Sequence, residues 1–153
     1  MRTDPGKRLN PRRMRGISMI ELMTVVVVVA ILATVSIQSY RGYLVRAHRT
    51  DATTALLRVQ VAEEKYFLQN NTYTTNLTAA PPTGLGLQTA TQNGYYNVAV
   101  AADANSTNSI ATSFAATATA TGGQTKDTAC LTLTINDQGQ KGPTPTAVAN
   151  CWK

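Results

Sequence analysis

Gly16-Ile17-Ser18-Met19-Ile20-Glu21-Leu22-Met23-Thr24, followed by Val25 to Val29 and then Ala30-Ile31-Leu32-Ala33-Thr34-Val35-Ser36-Ile37, is the stretch that decides how this chain folds. From Ile17 to Ile37 the only charge is Glu21. At a helical rise of about 1.5 Å, a run of this length reaches about 30 Å, the hydrocarbon thickness of a bilayer. It is long and apolar enough to cross a membrane as one helix.

The residues before it set its direction. Arg2, Lys7, Arg8, Arg12, Arg13 and Arg15 are six of the fourteen basic residues, against the single acid Asp4. In a single-pass topology such a bias is expected to place the N-terminus on the cytoplasmic side of the membrane. The remaining eight bases face seven acids, so the formal charge of +6 belongs almost wholly to this leader. That removes most of the case for a general nucleic-acid binder. No A-x-A-like cleavage site follows Ile37, since Gln38-Ser39-Tyr40-Arg41 runs straight on in a helical pattern, so the apolar segment is expected to be kept. Everything beyond it then lies outside the cytoplasm, where the two cysteines, Cys130 and Cys151, read as a disulfide in preference to a metal site.

The string Gly16-Ile17-Ser18-Met19-Ile20-Glu21-Leu22, behind a short basic leader and ahead of a long apolar helix, resembles the prepilin motif of type IV pilins. The resemblance implies that prepilin peptidase cuts directly after Gly16 and that Ile17 becomes the N-methylated N-terminus. It divides the chain into a leader, 1–16, a transmembrane and filament-core half-helix, 17–39, and a head, 40–153. Glu21 has two readings. Ser18-x-x-Glu21 fits a capping box, with the acid at the positive end of the helix dipole. The resemblance implies instead that Glu21 neutralises the N-terminal amine of Ile17 in a neighbouring subunit during assembly, and both can hold at different stages. Type IV pilins commonly begin the mature chain with phenylalanine and place a glycine and a proline in the apolar helix. Here those positions carry Ile17, Ala30 and Gln38, so a straighter helix that melts less readily is expected.

From Tyr40 to about Gln69, Ala52, Ala55, Leu56, Val59, Ala62 and Tyr66 form an apolar stripe, with Arg58, Glu63 and Lys65 read as lying off it. Joined to the apolar run, this makes one helix of roughly fifty residues, about 80 Å long, half of which must find partners outside its own domain. Asn70-Asn71-Thr72 reads as its stop, and 70–94, with Pro81-Pro82-Thr83-Gly84, as a loop. Tyr95 to Val100, Ser109 to Ala120 and Thr128 to Ile135 alternate as strands. Asn136-Asp137-Gln138-Gly139 is a turn leading to a short edge strand or loop. A Cys130–Cys151 bridge would tie the tail to the third strand, with Trp152 beside it. The expected fold class is α+β: a long N-terminal α-helix spine packed against a small antiparallel β-sheet, the type IV pilin fold that the resemblance implies.

Arg49-Thr50-Asp51-Ala52, Glu63-Glu64-Lys65-Tyr66-Phe67 to Tyr73, Gly94-Tyr95-Tyr96 and the terminal Cys151-Trp152 are similar to the PilE-like minor pilins, relatives of DNA-uptake receptors. The resemblance implies a non-enzymatic subunit, a minor pilin of a type IVa pilus, with no cofactor and no metal. Its partners would be prepilin peptidase, other pilins, and the inner membrane with the assembly platform, before the subunit passes into an extracellular filament. DNA is a weaker partner, through Lys126, Lys141 and Lys153; a type II secretion pseudopilin is the third reading. The single histidine, His48, beside Arg46 and Arg49, reads as a solvated or headgroup-facing basic patch and not as a catalytic group. Asp103, Asn105, Asn136 and Asp137 read as turn residues in preference to calcium ligands.

Overall fold

The computed structural model describes residues 16–106, 108–142 and 149–152, apart from the side chains of Gln38 and Ser39. The basic leader up to Arg15 and the terminal Lys153 lie outside the described residues. The chain divides after Ser39 into two units.

Helix α1, Met19–Ala47, provides the regular structure of the first unit. Every large apolar side chain from Ile17 to Ile37 is at least 54% exposed, so among the described residues this stretch forms no core of its own. Its few hydroxyls are satisfied locally. Thr24 donates to Ile20 O at 3.1 Å and Glu21 O at 2.9 Å, Thr34 to Ile31 O at 2.7 Å, and Ser36 to Leu32 O at 2.9 Å. Back-bonding of this kind lets a polar residue sit in an apolar medium without an orphan donor.

The second unit opens on the end of α1 and on α2, Arg49–Asn70. The expected long helix is present, Met19 to Asn70, marked by a single turn residue at His48. There the ladder tightens: Asp51 N–H reaches His48 O at 3.1 Å, an i to i−3 bond of the 3-10 kind. Helix α2 stops where the sequence suggests. Asn71 takes the left-handed conformation at φ 55°, and its N–H caps Phe67 O at 2.8 Å.

The buried face of α2 is Ala52, Leu56, Val59 and Glu63. Glu63 thus lies on the stripe, contrary to the reading that set it outside, because it follows Val59 by four residues and Leu56 by seven.

The sheet is a four-stranded antiparallel meander in the order β1-β2-β3-β4: β1 Tyr96–Ala101, β2 Ala115–Ala120, β3 Thr132–Asn136 and β4 Lys141–Gly142. Its inner face carries Tyr96, Val98 and Val100, then Ala116, Ala118 and Ala120, then Leu133 and Ile135, packed with Phe114 against α2. The all-alanine inner face of β2 leaves room for a helix to approach closely.

Two strands are shorter than their alternation suggests. Ser109 to Ser113 forms a turn, with Ser113 N–H bonded to Ser109 O at 2.9 Å, so β2 begins only at Ala115. The turn at Thr128 to Cys130, which follows a 3-10 helix, Gly122–Lys126, occupies the start expected for β3. Asp127 N–H bonds Gln124 O at 2.9 Å and Cys130 N–H bonds Asp127 O at 3.0 Å. The Asn136-to-Gly139 turn forms as read, with Gly139 at φ 72°, where a side chain would be strained.

The loop after α2 folds back on the core through Leu77 and Leu85 and is held by its own backbone bonds, Leu85 N–H to Asn76 O at 3.0 Å and Leu87 N–H to Leu77 O at 2.8 Å. Gly84 permits this closeness, since a Cβ there would stand 2.6 Å from Asn76 O.

Candidate functional site

Among the described residues nothing packs on the start of the N-terminal motif. Gly16 has no atom within 4 Å of where a Cβ would be, and Ile17 is 74% exposed. The Ser18–Glu21 capping box does not form. Ser18 contributes its carbonyl to Leu22 N–H at 3.1 Å, while the Glu21 carboxylate has no partner among the described residues. The acid is exposed in an otherwise apolar stretch and is engaged by none of the described residues.

A different kind of site forms where α2 begins. Arg49 stands in its first turn, the end of a helix least suited to a cation. Asp127 compensates: Arg49 Nε donates to Oδ2 at 2.7 Å and Nη2 to Oδ1 at 2.8 Å, a two-pronged pair whose side chains are 13% and 4% exposed. This pairing holds the Arg49 guanidinium above its usual pKa. Its third prong, Nη1, donates to Asn150 O at 2.9 Å, next to Cys151.

Gln124, buried, extends the network. Its Nε2 donates toward Val45 O at 2.9 Å, Tyr96 Oη at 3.0 Å and Asp127 Oδ2 at 3.3 Å. His48 is neither solvated nor facing outward as a basic patch. It is half-buried, its Nδ1 lies 3.1 Å from Gln124 Oε1, and its ring stacks on Tyr95 at 3.7 Å. These contacts make it a packing residue that ties the helix junction to Tyr95, just before β1, and to the 3-10 helix. Burial pushes the Tyr96 hydroxyl's pKa up.

Cys130 and Cys151 are bonded, with Cα atoms 5.7 Å apart. The bridge starts in the turn before β3, not in β3 itself, and joins it to the C-terminal turn. Trp152 Nε1 donates to Gly142 O at 3.1 Å, and Lys141 Nζ sits 5.0 Å above its ring. Both Asp103 carboxylate oxygens are engaged: Oδ1 accepts from Asn105 N–H at 2.9 Å and Oδ2 from Asn136 Nδ2 at 3.1 Å, the chemistry of a turn. Among the described residues no His, Cys, Asp and Glu cluster could hold a metal ion.

The sequence reading missed the Arg49–Asp127–Gln124 network and the burial of Glu63. Each had a signal: a cation at a helix start, and an acid in register with Leu56 and Val59.

An apolar N-terminal helix with one acid, an amphipathic helix on an antiparallel meander, and a disulfide closing the C-terminus are the parts of a type IV pilin. Residues 38–134 match the family described as "Type IV minor pilin ComP, DNA uptake sequence receptor", and residues 11–37 match the prokaryotic N-terminal methylation motif. The chain belongs to this family of type IV minor pilins.

It is 36% identical over 95 residues to the type IV wide pilus major component PilA4 of Thermus thermophilus, covering 62% of this chain and 70% of that one. It is 35% identical over 66 residues to the type IV major pilin protein PilA of Myxococcus xanthus, which is 43% of this chain but only 30% of that one. A type IV pilin structure from Shewanella oneidensis aligns with a TM-score of 0.48 at 22% identity, over 71% of this chain and 98% of that one.

Proposed function

We propose that the chain is made as a precursor cut by prepilin peptidase after Gly16, methylated at Ile17, and held in the inner membrane by the segment 17–39 until it joins a type IVa pilus as a minor subunit. The head, 40–153, is then displayed outside the cell. One observation carries the reading: an exposed apolar helix whose single carboxylate, Glu21, has no partner among the described residues. A carboxylate at the centre of a membrane helix costs on the order of 2.5–3.5 kcal/mol, less near its end, so it is retained where it has a partner to meet. In this reading the partner is the amine of Ile17 on a neighbouring subunit.

Mass spectrometry of the membrane-bound protein, from cells with and without prepilin peptidase, tests the cleavage; a mature chain that does not start at Ile17 sinks it. Glu21→Ala is expected to leave cleavage and insertion intact and to abolish incorporation into sheared filaments.

A second reading, DNA binding for uptake, has its support in the description of the matching family. Of the three lysines read as its phosphate contacts, Lys126 and Lys141 are exposed; Lys153 lies outside the described residues. Salt-dependent binding of duplex DNA by the full chain, lost on neutralising these lysines, is the expected sign.

A further inference from the structure

Arg41, Gly42, Val45, Arg46, Arg49, Lys126 and the turn from Asp127 to Ala129 enclose a shallow cavity of about 320 Å³. Asp127 is neutralised by Arg49. Arg41, Arg46 and Lys126 make no ion pair or side-chain hydrogen bond among the described residues, so they leave three uncompensated cations round one cavity. Lys126 arrives from the 3-10 helix, some eighty positions along the chain, so the cluster is made by the fold and not by a basic run.

Its place in the sequence says what it faces. Arg41 follows Ile37, the last residue of the apolar run, by four positions, and Arg46 by nine. At about 1.5 Å per residue these fall roughly 6 and 13 Å past the hydrocarbon core, in the headgroup layer. Tyr40 and Tyr43 flank them at 61% and 62% exposure, and amphipathic rings of this kind are enriched at that depth.

We infer that the cavity lined by Arg41, Arg46 and Lys126 binds the phosphate of an anionic phospholipid in the outer leaflet while the subunit is still in the membrane. This rests on the reading that residues 17–39 are the membrane anchor. The lipid phosphate supplies the counter-charge these residues lack, and the site must be vacated when the subunit leaves the bilayer.

The test uses the full chain in non-ionic detergent, titrated with phosphatidylglycerol or phosphatidylcholine, with bound lipid counted by native mass spectrometry. Phosphatidylglycerol is expected to bind more tightly. The triple variant R41Q/R46Q/K126Q should lose on the order of a hundred-fold in that affinity, and Lys126→Gln alone about five-fold, with phosphatidylcholine binding unchanged. Lys141→Gln should change neither.

Equal binding of the two lipids, or an unaffected triple variant, overturns the inference. So does competition by free glycerol phosphate as effective as the lipid, which would make this a soluble-phosphate site, or displacement of the lipid by stoichiometric duplex DNA, which would assign the cations to nucleic acid. Should the triple variant not fold, the Lys126→Gln result decides, because that side chain is exposed and carries no structural bond. Flotation with vesicles of pure phosphatidylcholine tests the anchor separately. A chain that floats yet shows no preference for phosphatidylglycerol sinks only the lipid site, and one that does not float sinks the anchor.

Discussion

Ile17–Ile37 and Ala52–Val59 are both apolar helical stretches, and they use their apolar surface in opposite ways. In the first every large apolar side chain is at least 54% exposed; in the second Ala52 and Leu56 are fully buried and Val59 is 2% exposed. The first is apolar right round its circumference, the second along one stripe. An apolar surface that closes on its own chain need only be one-sided, whereas one whose partner is a surrounding medium or a ring of other subunits must be so on all sides. The same division holds for charge. Glu21 has no partner among the described residues, while Arg49 and Asp127 are engaged with each other.

The largest effect should come from breaking that internal pair. Asp127→Ala leaves the Arg49 guanidinium nearly buried and unmatched, and removes an acceptor from Gln124. The head is expected to lose about 3–5 kcal/mol, read by denaturant unfolding followed through the near-ultraviolet dichroism of Trp152. The double variant Arg49→Met with Asp127→Leu should recover most of it, because no charge is then stranded. A loss below about 1 kcal/mol in the single variant would mean that water screens the pair, and the contrast with Glu21 would weaken.

Next in size is the bridge. Cys151→Ser opens a loop of 21 residues and should cost about 3 kcal/mol by restoring freedom to the unfolded chain. The loss should be partly hidden if Arg49 Nη1 keeps hold of Asn150 O, so Arg49→Lys combined with Cys151→Ser is expected to cost more than the two changes summed.

What could be read in advance follows the same line. The apolar run, the Gly16–Glu21 motif, the left-handed stop at Asn71 and the Asn136–Gly139 turn are set by residues adjacent in the chain, and their sequence is enough to see them. The late start of β2 was hidden because Ser109-to-Thr112 has the alternation of a strand but folds as a turn on its own Ser109 carbonyl. The 3-10 helix went unread because what it does is non-local: it brings Gln124, and Asp127 just after it, to residues more than seventy positions away. His48 looked like a surface cation for the same reason, since Tyr95 and Gln124 are brought to it only by the fold.

Glu63 comes third. It is fully buried, with Thr74 N–H on Oε2 at 3.1 Å and nothing on Oε1. Burial, with Glu64 nearby, pushes its pKa up to about 7, the Thr74 bond only partly opposing the rise. The groups close to it are acids or neutral: Glu64 on α2 and Tyr73 on the following loop, the latter in turn under the influence of Asp137. A carboxyl whose folded pKa is raised stabilises the fold fully below its unfolded pKa, near 4.5, and loses that contribution as pH rises through about 7. Stability of the head should therefore fall by on the order of 2 kcal/mol across this window, screening allowed for. Glu63→Gln should flatten the slope and leave the head more stable than the parent at pH 8. A slope that survives the substitution would assign it to another group.

The smallest effect is expected where exposure is greatest. Val27 is 57% exposed and belongs to no buried cluster among the described residues. Val27→Ala should leave unfolding of the head unchanged within about 0.5 kcal/mol, although Val59→Ala, the same chemical change on α2, should cost about 1–3 kcal/mol for the cavity it leaves. The pair isolates location from chemistry. If Val27→Ala destabilised the head as much as Val59→Ala, the apolar run would have to pack against the chain that carries it. Its uniform exposure, and with it the argument that Glu21 and the residues around it are held for other partners, would then fail together.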